Sequence, residues 1–208
     1  MWFALLIAAL TAYLLGNLNG AVCISQLIAK EDIRSHGSGN AGLTNFIRQY
    51  GRRSALAVIA IDGGKAVIGC LSSGLILAPH LTMTEGMIYG GFFVMLGHVF
   101  PALLGFRGGK GILSGFLVAM VVDWRVGLII LAVFLAAYLL TQYVSLGSVL
   151  AAVAFAAGFV VFHHEQVLVM VCGLAMSALT IFMHRSNIVR LWTHTERKTN
   201  LFGKGKSA

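Results

Sequence analysis

Residues 144–162, VSLGSVLAAVAFAAGFVVF, form an apolar run without a charged side chain. A helix that crosses the hydrocarbon core of a bilayer needs about 20 residues of this kind. The whole chain has the same character, because 58% of its 208 residues are hydrophobic and only 11% are charged. A soluble domain usually carries about 25% charged residues. The sequence therefore predicts an all-α integral membrane protein.

Six further apolar segments accompany this run. They lie at residues 2–28, 54–78, 87–104, 112–122, 126–141 and 166–183. The first lacks a basic start and a cleavage site, so we interpret it as a membrane helix. Segment 112–122 would be only about 16 Å long as a helix, so it is short or strongly tilted. We expect about seven transmembrane helices in a single domain at 1–208, with a disordered tail at 203–208.

The basic residues predict an orientation. An odd number of spans puts the two ends on opposite sides of the membrane. With the C-terminus inside, thirteen of the fifteen Lys and Arg residues lie on inside segments, and the exceptions are Lys65 and Arg125. The positive-inside rule then places the N-terminus outside and the C-terminus in the cytoplasm. Merging segment 112–122 with its neighbour would change the count, but it would weaken this charge pattern.

A glycine-rich segment, HGSGNAGLTNFIR at 36–48, lies on the predicted cytoplasmic side. Glycines let backbone N–H groups converge on one anion. The candidate binding residues here are Gly37, Ser38, Gly39, Asn40, Gly42, Thr44 and Asn45. Arg48 can hold a phosphate through two parallel hydrogen bonds. The alternative is a flexible loop between two spans.

A second glycine-rich segment, FRGGKG at 106–111, precedes the short helix. Backbone donors, Lys110 and a helix N-terminus together favour an anion site. The candidate glycines are Gly108, Gly109 and Gly111. The GxxxxGK[ST] spacing of a Walker loop is missing. The alternative is a basic loop with turn glycines, and His98 upstream could contact substrate or be structural.

Asp62 and Lys65 lie inside the second span, three residues apart and so on one helix face. An unpaired charge at the centre of a membrane helix costs about 2.5–3.5 kcal/mol of insertion free energy, even on the scales that give the lowest values. We expect a structural ion pair in preference to a catalytic role.

The chain leaves the last span at HRSNIVR, residues 184–190. His184 and Asn187 share a face if the helix continues, whereas Arg185 and Arg190 could contact anionic headgroups.

The two glycine-rich segments and the 184–190 segment all fall on the predicted cytoplasmic side, where Ser145 and Ser148 add two hydroxyls. This convergence predicts a cationic, donor-rich cleft beside lipid. Basic residues that lie between apolar spans argue against a nucleic-acid partner. We predict no metal site, because residues 163–165, HHE, fall on the outer side and their side chains diverge by about 100° on a helix.

Four segments together resemble the bacterial acyl-phosphate:glycerol-3-phosphate acyltransferases, the PlsY family. They are residues 37–48, 97–111, 143–146 and 184–190, in the same order and with matching separations. The resemblance implies a seven-helix enzyme of the bacterial cell membrane, with its active site facing the cytoplasm. It implies transfer of an acyl group from acyl phosphate to glycerol-3-phosphate, which gives lysophosphatidic acid in the first acylation of phospholipid synthesis. The implied partners are these substrates, membrane lipid and the enzyme that supplies acyl phosphate, without a cofactor.

The resemblance also assigns site residues. Substrate-binding positions of the family fall on Ser38, Arg48, Lys110, Ser148, His184 and Asn187. All of these except Ser148 are expected to be catalytic, with His184 either orienting substrate or acting as a base. Ser186 stands where the family has Glu, so we expect no carboxylate role there.

A transporter or flippase for small phosphate esters is the alternative function. Charges within a span and glycine-broken helices fit that class. However, transporter sites usually lie near the midplane and often accompany internal repeats, whereas these motifs crowd one surface and no repeat is evident. A purely structural membrane protein would not explain two cationic glycine-rich loops on one side.

Overall fold

The computed structural model describes residues 1–199, and this part of the chain is all-helical. The helices are α1 Trp2–Asn17, α2 Gly20–Ala29, α3 Leu43–Tyr50, α4 Arg52–Leu77, α5 Met83–Val99, α6 Ile112–Val122, α7 Trp124–Thr141, α8 Val144–Phe162, α9 Val167–Met183 and α10 Arg185–Trp192. Two single-turn 3-10 helices lie at Ile33–Ser35 and Ala102–Leu104. The predicted all-α class is confirmed, and the predicted disordered tail lies outside the described residues.

Fewer helices than the predicted seven are long and apolar enough to cross a membrane. Within residues 1–199 there are five such segments, or six if α9 and α10 form one span bent by 55°. The five are Trp2–Ala29, Leu43–Leu77, Met83–Leu104, Trp124–Thr141 and Val144–Phe162. The difference arises because α6 has only 11 residues and α9 only 17.

Close helix packing at the centre of the bundle depends on small residues. Helix α5 packs against α1 and α4, and α7 packs against α8. A Cβ on Gly16 would lie 2.3 Å from the Val94 carbonyl oxygen, and one on Gly97 would lie 2.2 Å from the Tyr13 carbonyl oxygen. The α1–α5 contact therefore brings two backbones together, as is typical of membrane helices.

The charges of the second span form a buried network. Lys65 Nζ lies 2.8 Å from Asp62 Oδ1 and 2.8 Å from His98 Nδ1. All three residues are at most 4% exposed. The charges of Asp62 and Lys65 therefore oppose each other within the helix bundle, and His98 accepts a hydrogen bond from Lys65.

This network also completes the broken first span. The chain leaves the helix between α1 and α2, which frees backbone groups from their usual partners. Lys65 donates hydrogen bonds to the carbonyl oxygens of Gly16 and Leu18. Asp62 Oδ1 accepts one from the Gly20 N–H at 3.1 Å. The ion pair thereby satisfies polar backbone that would otherwise be costly inside a membrane.

Candidate active site

A cavity of about 830 Å³ opens between the two glycine-rich loops, α6, the middle of α7, α10 and the adjoining halves of α8 and α9. Most of the predicted site residues line it. They are Gly37, Ser38, Gly39, Asn40, Gly42, Thr44, Asn45, Arg48, Asp62, His98, Lys110, Gly111, Ser145, Ser148, His184 and Asn187. The predicted residues Gly108, Gly109 and Lys65 do not line the cavity. Segments more than 140 residues apart in sequence thus share one cavity.

The first glycine-rich loop is held in shape by Asn45. Gly37 and Gly39 adopt left-handed backbone conformations, with φ of 61° and 70°. Asn45 Oδ1 accepts from the Ser38 N–H at 3.0 Å, and its Nδ2 donates to the carbonyl oxygens of His36 and Asn40 at 3.0 and 3.1 Å. The side-chain amide of Asn45 is therefore fully used in hydrogen bonds to the loop backbone, and it positions Ser38.

A short helix that the sequence analysis did not predict carries the rest of this motif. Helix α3 starts after Gly42, which supplies no side-chain cap. The first N–H groups of a helix lack partners in its own turns and favour an anion. Gly42 and Thr44 line the cavity, so this helix N-terminus opens onto it. Arg48 follows one turn later and donates to Thr199 Oγ1.

The second loop packs two of its glycines against the end of α5. The N–H groups of Gly108 and Gly109 donate to the carbonyl oxygens of Val99 and His98, at 3.2 and 3.0 Å. A Cβ on Gly108 would lie only 2.0 Å from the His98 oxygen. These glycines let the loop pack on the end of α5, and their amides are occupied. The loop contributes Lys110, whose ammonium donates to Asn187 Oδ1.

Lys110 lies in a strongly perturbing environment. Burial lowers the pKa of Lys110 to about 8, and the positive charge of Arg190 adds to this shift, whereas Glu196 opposes it. A cation in such surroundings gains most from a neighbouring anion, because burial weakens its hydration.

His184 lies where the chain bends between α9 and α10. Its Nδ1 lies 2.8 Å from the Thr180 carbonyl oxygen, and the residue is 4% exposed. A carbonyl can only accept, so Nδ1 carries the proton and a neutral ring has its lone pair on Nε2. The bend keeps Asn187 next to His184 on the cavity wall.

The structure adds Glu196, which the sequence analysis did not single out. Its Oε1 accepts from Asn187 Nδ2 at 2.8 Å, and its Oε2 accepts from Arg190 Nε at 2.6 Å. Partial burial works to raise the pKa of Glu196, but the hydrogen bonds from Asn187 and Arg190 and the positive charge of Arg190 lower that pKa below its usual value. The sequence feature that could have pointed to Glu196 is that it is the single carboxylate in an otherwise basic C-terminal segment.

Two further contacts hold the rim together. Arg34 Nη1 donates to the carbonyl oxygens of Leu104 and Arg107, at 2.7 and 2.9 Å, and so ties the 3-10 helix before the first loop to the second loop. The Thr199 N–H donates to the Gln142 carbonyl oxygen at 3.0 Å, which brings the C-terminal segment over the cavity. In the sequence Arg34 is only one of the basic residues, and nothing there predicts that it contacts Leu104 and Arg107.

Sequence comparisons with known proteins point to one family. The glycerol-3-phosphate acyltransferase family profile matches residues 6–194. A glycerol-3-phosphate acyltransferase of Thermoanaerobacter pseudethanolicus is 40% identical over 92% of this chain and 94% of its own length. One from Clostridioides difficile is 37% identical over 94% of this chain and 96% of its own.

Solved structures of a relative extend the agreement to three dimensions. The crystal structure of PlsY (YgiH), an integral membrane glycerol 3-phosphate acyltransferase, in its glycerol 3-phosphate form superimposes with a TM-score of 0.85. It is 31% identical and covers 96% of this chain and 99% of its own. The lysophosphatidic acid form gives a TM-score of 0.81 at 32% identity, over 94% of this chain and 95% of its own. This chain is an all-helical integral membrane protein that belongs to the glycerol-3-phosphate acyltransferase family.

Proposed function

We propose that the protein transfers a fatty acyl group from acyl phosphate to glycerol-3-phosphate and releases lysophosphatidic acid and phosphate. The observation that carries the proposal is the composition of the cavity. One end presents Arg48, Lys110 and the α3 N-terminus, and the other is lined by apolar side chains such as Phe116 and Phe155. This division matches a molecule with a phosphate head and an acyl tail. The related structures hold glycerol 3-phosphate and lysophosphatidic acid.

In this proposal the cationic end binds two phosphates. Lys110, Arg48 and Asn187 hold glycerol-3-phosphate through charge-assisted hydrogen bonds. The contacts that Thr199 and Glu196 make with Arg48 and Asn187 are exchanged for contacts with the substrate. The second phosphate, on the acyl donor, binds at the α3 N-terminus beside Ser38 and Ser148.

The chemical step needs alignment more than a strong base, because acyl phosphate is a mixed anhydride with a good leaving group. The glycerol hydroxyl oxygen bonds to the acyl carbonyl carbon while the bond from that carbon to the phosphate oxygen breaks. Phosphate leaves with the electron pair and takes the hydroxyl proton. Ser38 and nearby N–H groups stabilise the oxyanion, and His184 Nε2 orients the hydroxyl.

We propose a membrane arrangement in which α6 is a short seventh crossing within a single domain. The N-terminus is then outside and the C-terminus is cytoplasmic, so the cavity faces the cytoplasm of a bacterial cell. The concentration of basic residues in the two loops and the C-terminal segment supports this orientation. An enzyme that supplies acyl phosphate is the expected neighbour in the membrane.

The direct test uses purified protein in liposomes with palmitoyl phosphate and labelled glycerol-3-phosphate, and with palmitoyl-CoA as the alternative donor. We expect labelled lysophosphatidic acid and one phosphate per product from palmitoyl phosphate, and no product from palmitoyl-CoA. Product from palmitoyl-CoA alone would overturn the donor assignment. Accumulation of label inside the liposomes without acylation would instead identify a transporter.

The lowered pKa of Lys110 predicts an alkaline limit to activity. Above pH of about 8 the free enzyme loses the Lys110 charge that binds phosphate, so kcat/KM for glycerol-3-phosphate should fall. Arginine stays protonated at these pH values, so Lys110→Arg should move the fall to higher pH even if its activity is lower. An unmoved alkaline limb in the arginine variant would contradict the assignment.

A further inference from the structure

Beyond the polar end, the cavity continues as an apolar arm between α6, α7, α8 and α9. The side chains that define the arm are Phe116, Ile130, Phe134, Ala151, Phe155 and Met176. The arm has aliphatic and aromatic walls, so it suits the hydrocarbon part of an acyl donor.

Phe155 is the lining residue of α8 that lies farthest along the helix from the polar end of the cavity. Ser148 and Phe155 both line the cavity from α8, and seven residues of helix span about 10 Å. Phe155 packs on Phe159 with ring centroids 4.8 Å apart, and Phe159 is 0% exposed. An acyl chain in one leaflet extends over about 15 Å, half of the hydrocarbon thickness. An acyl chain of this length exceeds the rise of about 10 Å between Ser148 and Phe155 along α8, so the width of the arm matters for accommodating it.

Gly115 on α6 forms part of the cavity wall. In membrane helices a buried glycine usually serves close packing, and Gly91 and Gly158 do so here, since an added Cβ would lie 2.5 and 2.9 Å from valine side chains. Gly115 is buried and lines the cavity, yet an added Cβ would meet no atom within 4 Å. Among the buried helical glycines of residues 1–199, only Gly115 faces open space in this way. The space beside Gly115 is the cavity itself.

We propose that Gly115 is a specificity-determining residue, because its missing side chain leaves the arm wide enough for long acyl chains. The inference rests on the proposed function and deepens it. A side chain at this position would point into free volume that the chain of the donor otherwise fills. It would leave the phosphate-binding end unchanged.

The test compares Gly115→Ala, Gly115→Val and Gly115→Leu with the wild type, using octanoyl, lauroyl and palmitoyl phosphate. We expect a graded fall in kcat/KM for palmitoyl phosphate, of about tenfold or more in the leucine variant. Octanoyl phosphate and the KM for glycerol-3-phosphate should change little. Gly64→Leu is the matched control, since Gly64 also lies in a helix with no atom within 4 Å of an added Cβ, but outside the cavity lining.

A second variant works in the opposite direction. Phe155→Ala removes a large lining ring far from the polar end and enlarges the arm there, so it should raise the preference for palmitoyl over octanoyl phosphate. An unchanged chain-length profile in the Gly115 series, or an equal loss for all donors, would overturn the inference. If the wild type acylates glycerol-3-phosphate but the Gly115 variants keep the wild-type chain-length preference, only the role of Gly115 is refuted. Wild type without acylation would refute the proposed function.

Discussion

Replacing Lys110 with alanine should lower kcat/KM for glycerol-3-phosphate by about 10²- to 10³-fold, the usual cost of removing one preorganised electrostatic contact. Lys110 is the cation that the second loop delivers to the cavity, and it lies beside Asn187. Its ammonium would neutralise substrate phosphate in surroundings where water screens poorly. The measurement is initial-rate acylation of labelled glycerol-3-phosphate in liposomes.

Arg53→Ala provides the control for this experiment. Arg53 is an exposed cation at the start of α4 that lies outside the cavity lining, so its loss removes the same charge without a substrate contact. It should retain near wild-type turnover. Equal losses in both variants would indicate general membrane electrostatics, and near wild-type turnover in Lys110→Ala would refute the proposed phosphate contact.

Replacing Asp62 with alanine should lower the free energy of unfolding by about 3–5 kcal/mol, because it leaves the Lys65 charge buried without its counter-ion. Lys65 and Asp62 are 3% and 2% exposed. The loss also removes the acceptor of the Gly20 N–H at the break in the first span. Thermal unfolding in detergent measures the effect, and the midpoint should fall well below that of the wild type.

The double variant Asp62→Leu with Lys65→Met separates charge from backbone support. It removes both charges, so it should be more stable than Asp62→Ala alone. It should not reach wild-type stability, since the carbonyl oxygens of Gly16 and Leu18 lose their donor, at about 1–3 kcal/mol for each unsatisfied group. Ser72→Ala on the same helix is the control and should change stability little. A stable Asp62→Ala protein would contradict this role for the ion pair.

The sequence by itself determined the helices that lipid surrounds. Residues 144–162 and 112–122 were predicted with the bounds that α8 and α6 have. Such segments are predictable because the need to bury backbone polar groups in lipid acts on each apolar run separately. The sequence also identified the residue types of the cavity rim, since phosphate recognition requires cations and small flexible residues. Asn19 and the break that it caps within the first span were not predicted.

Only the tertiary structure decided what each polar group does. Helix α3 is eight residues long, and its position depends on Phe46 packing against other helices, so the local sequence signal for it was weak. From the sequence, the N–H groups of Gly108 and Gly109 were expected to be available for an anion. In the structure they donate instead to carbonyl oxygens at the end of α5. Glu196 reaches the cavity through partners that become neighbours only after folding. A polar group forms its hydrogen bond with the partner that folding brings within about 3 Å. In this protein many of those partners lie far away in sequence.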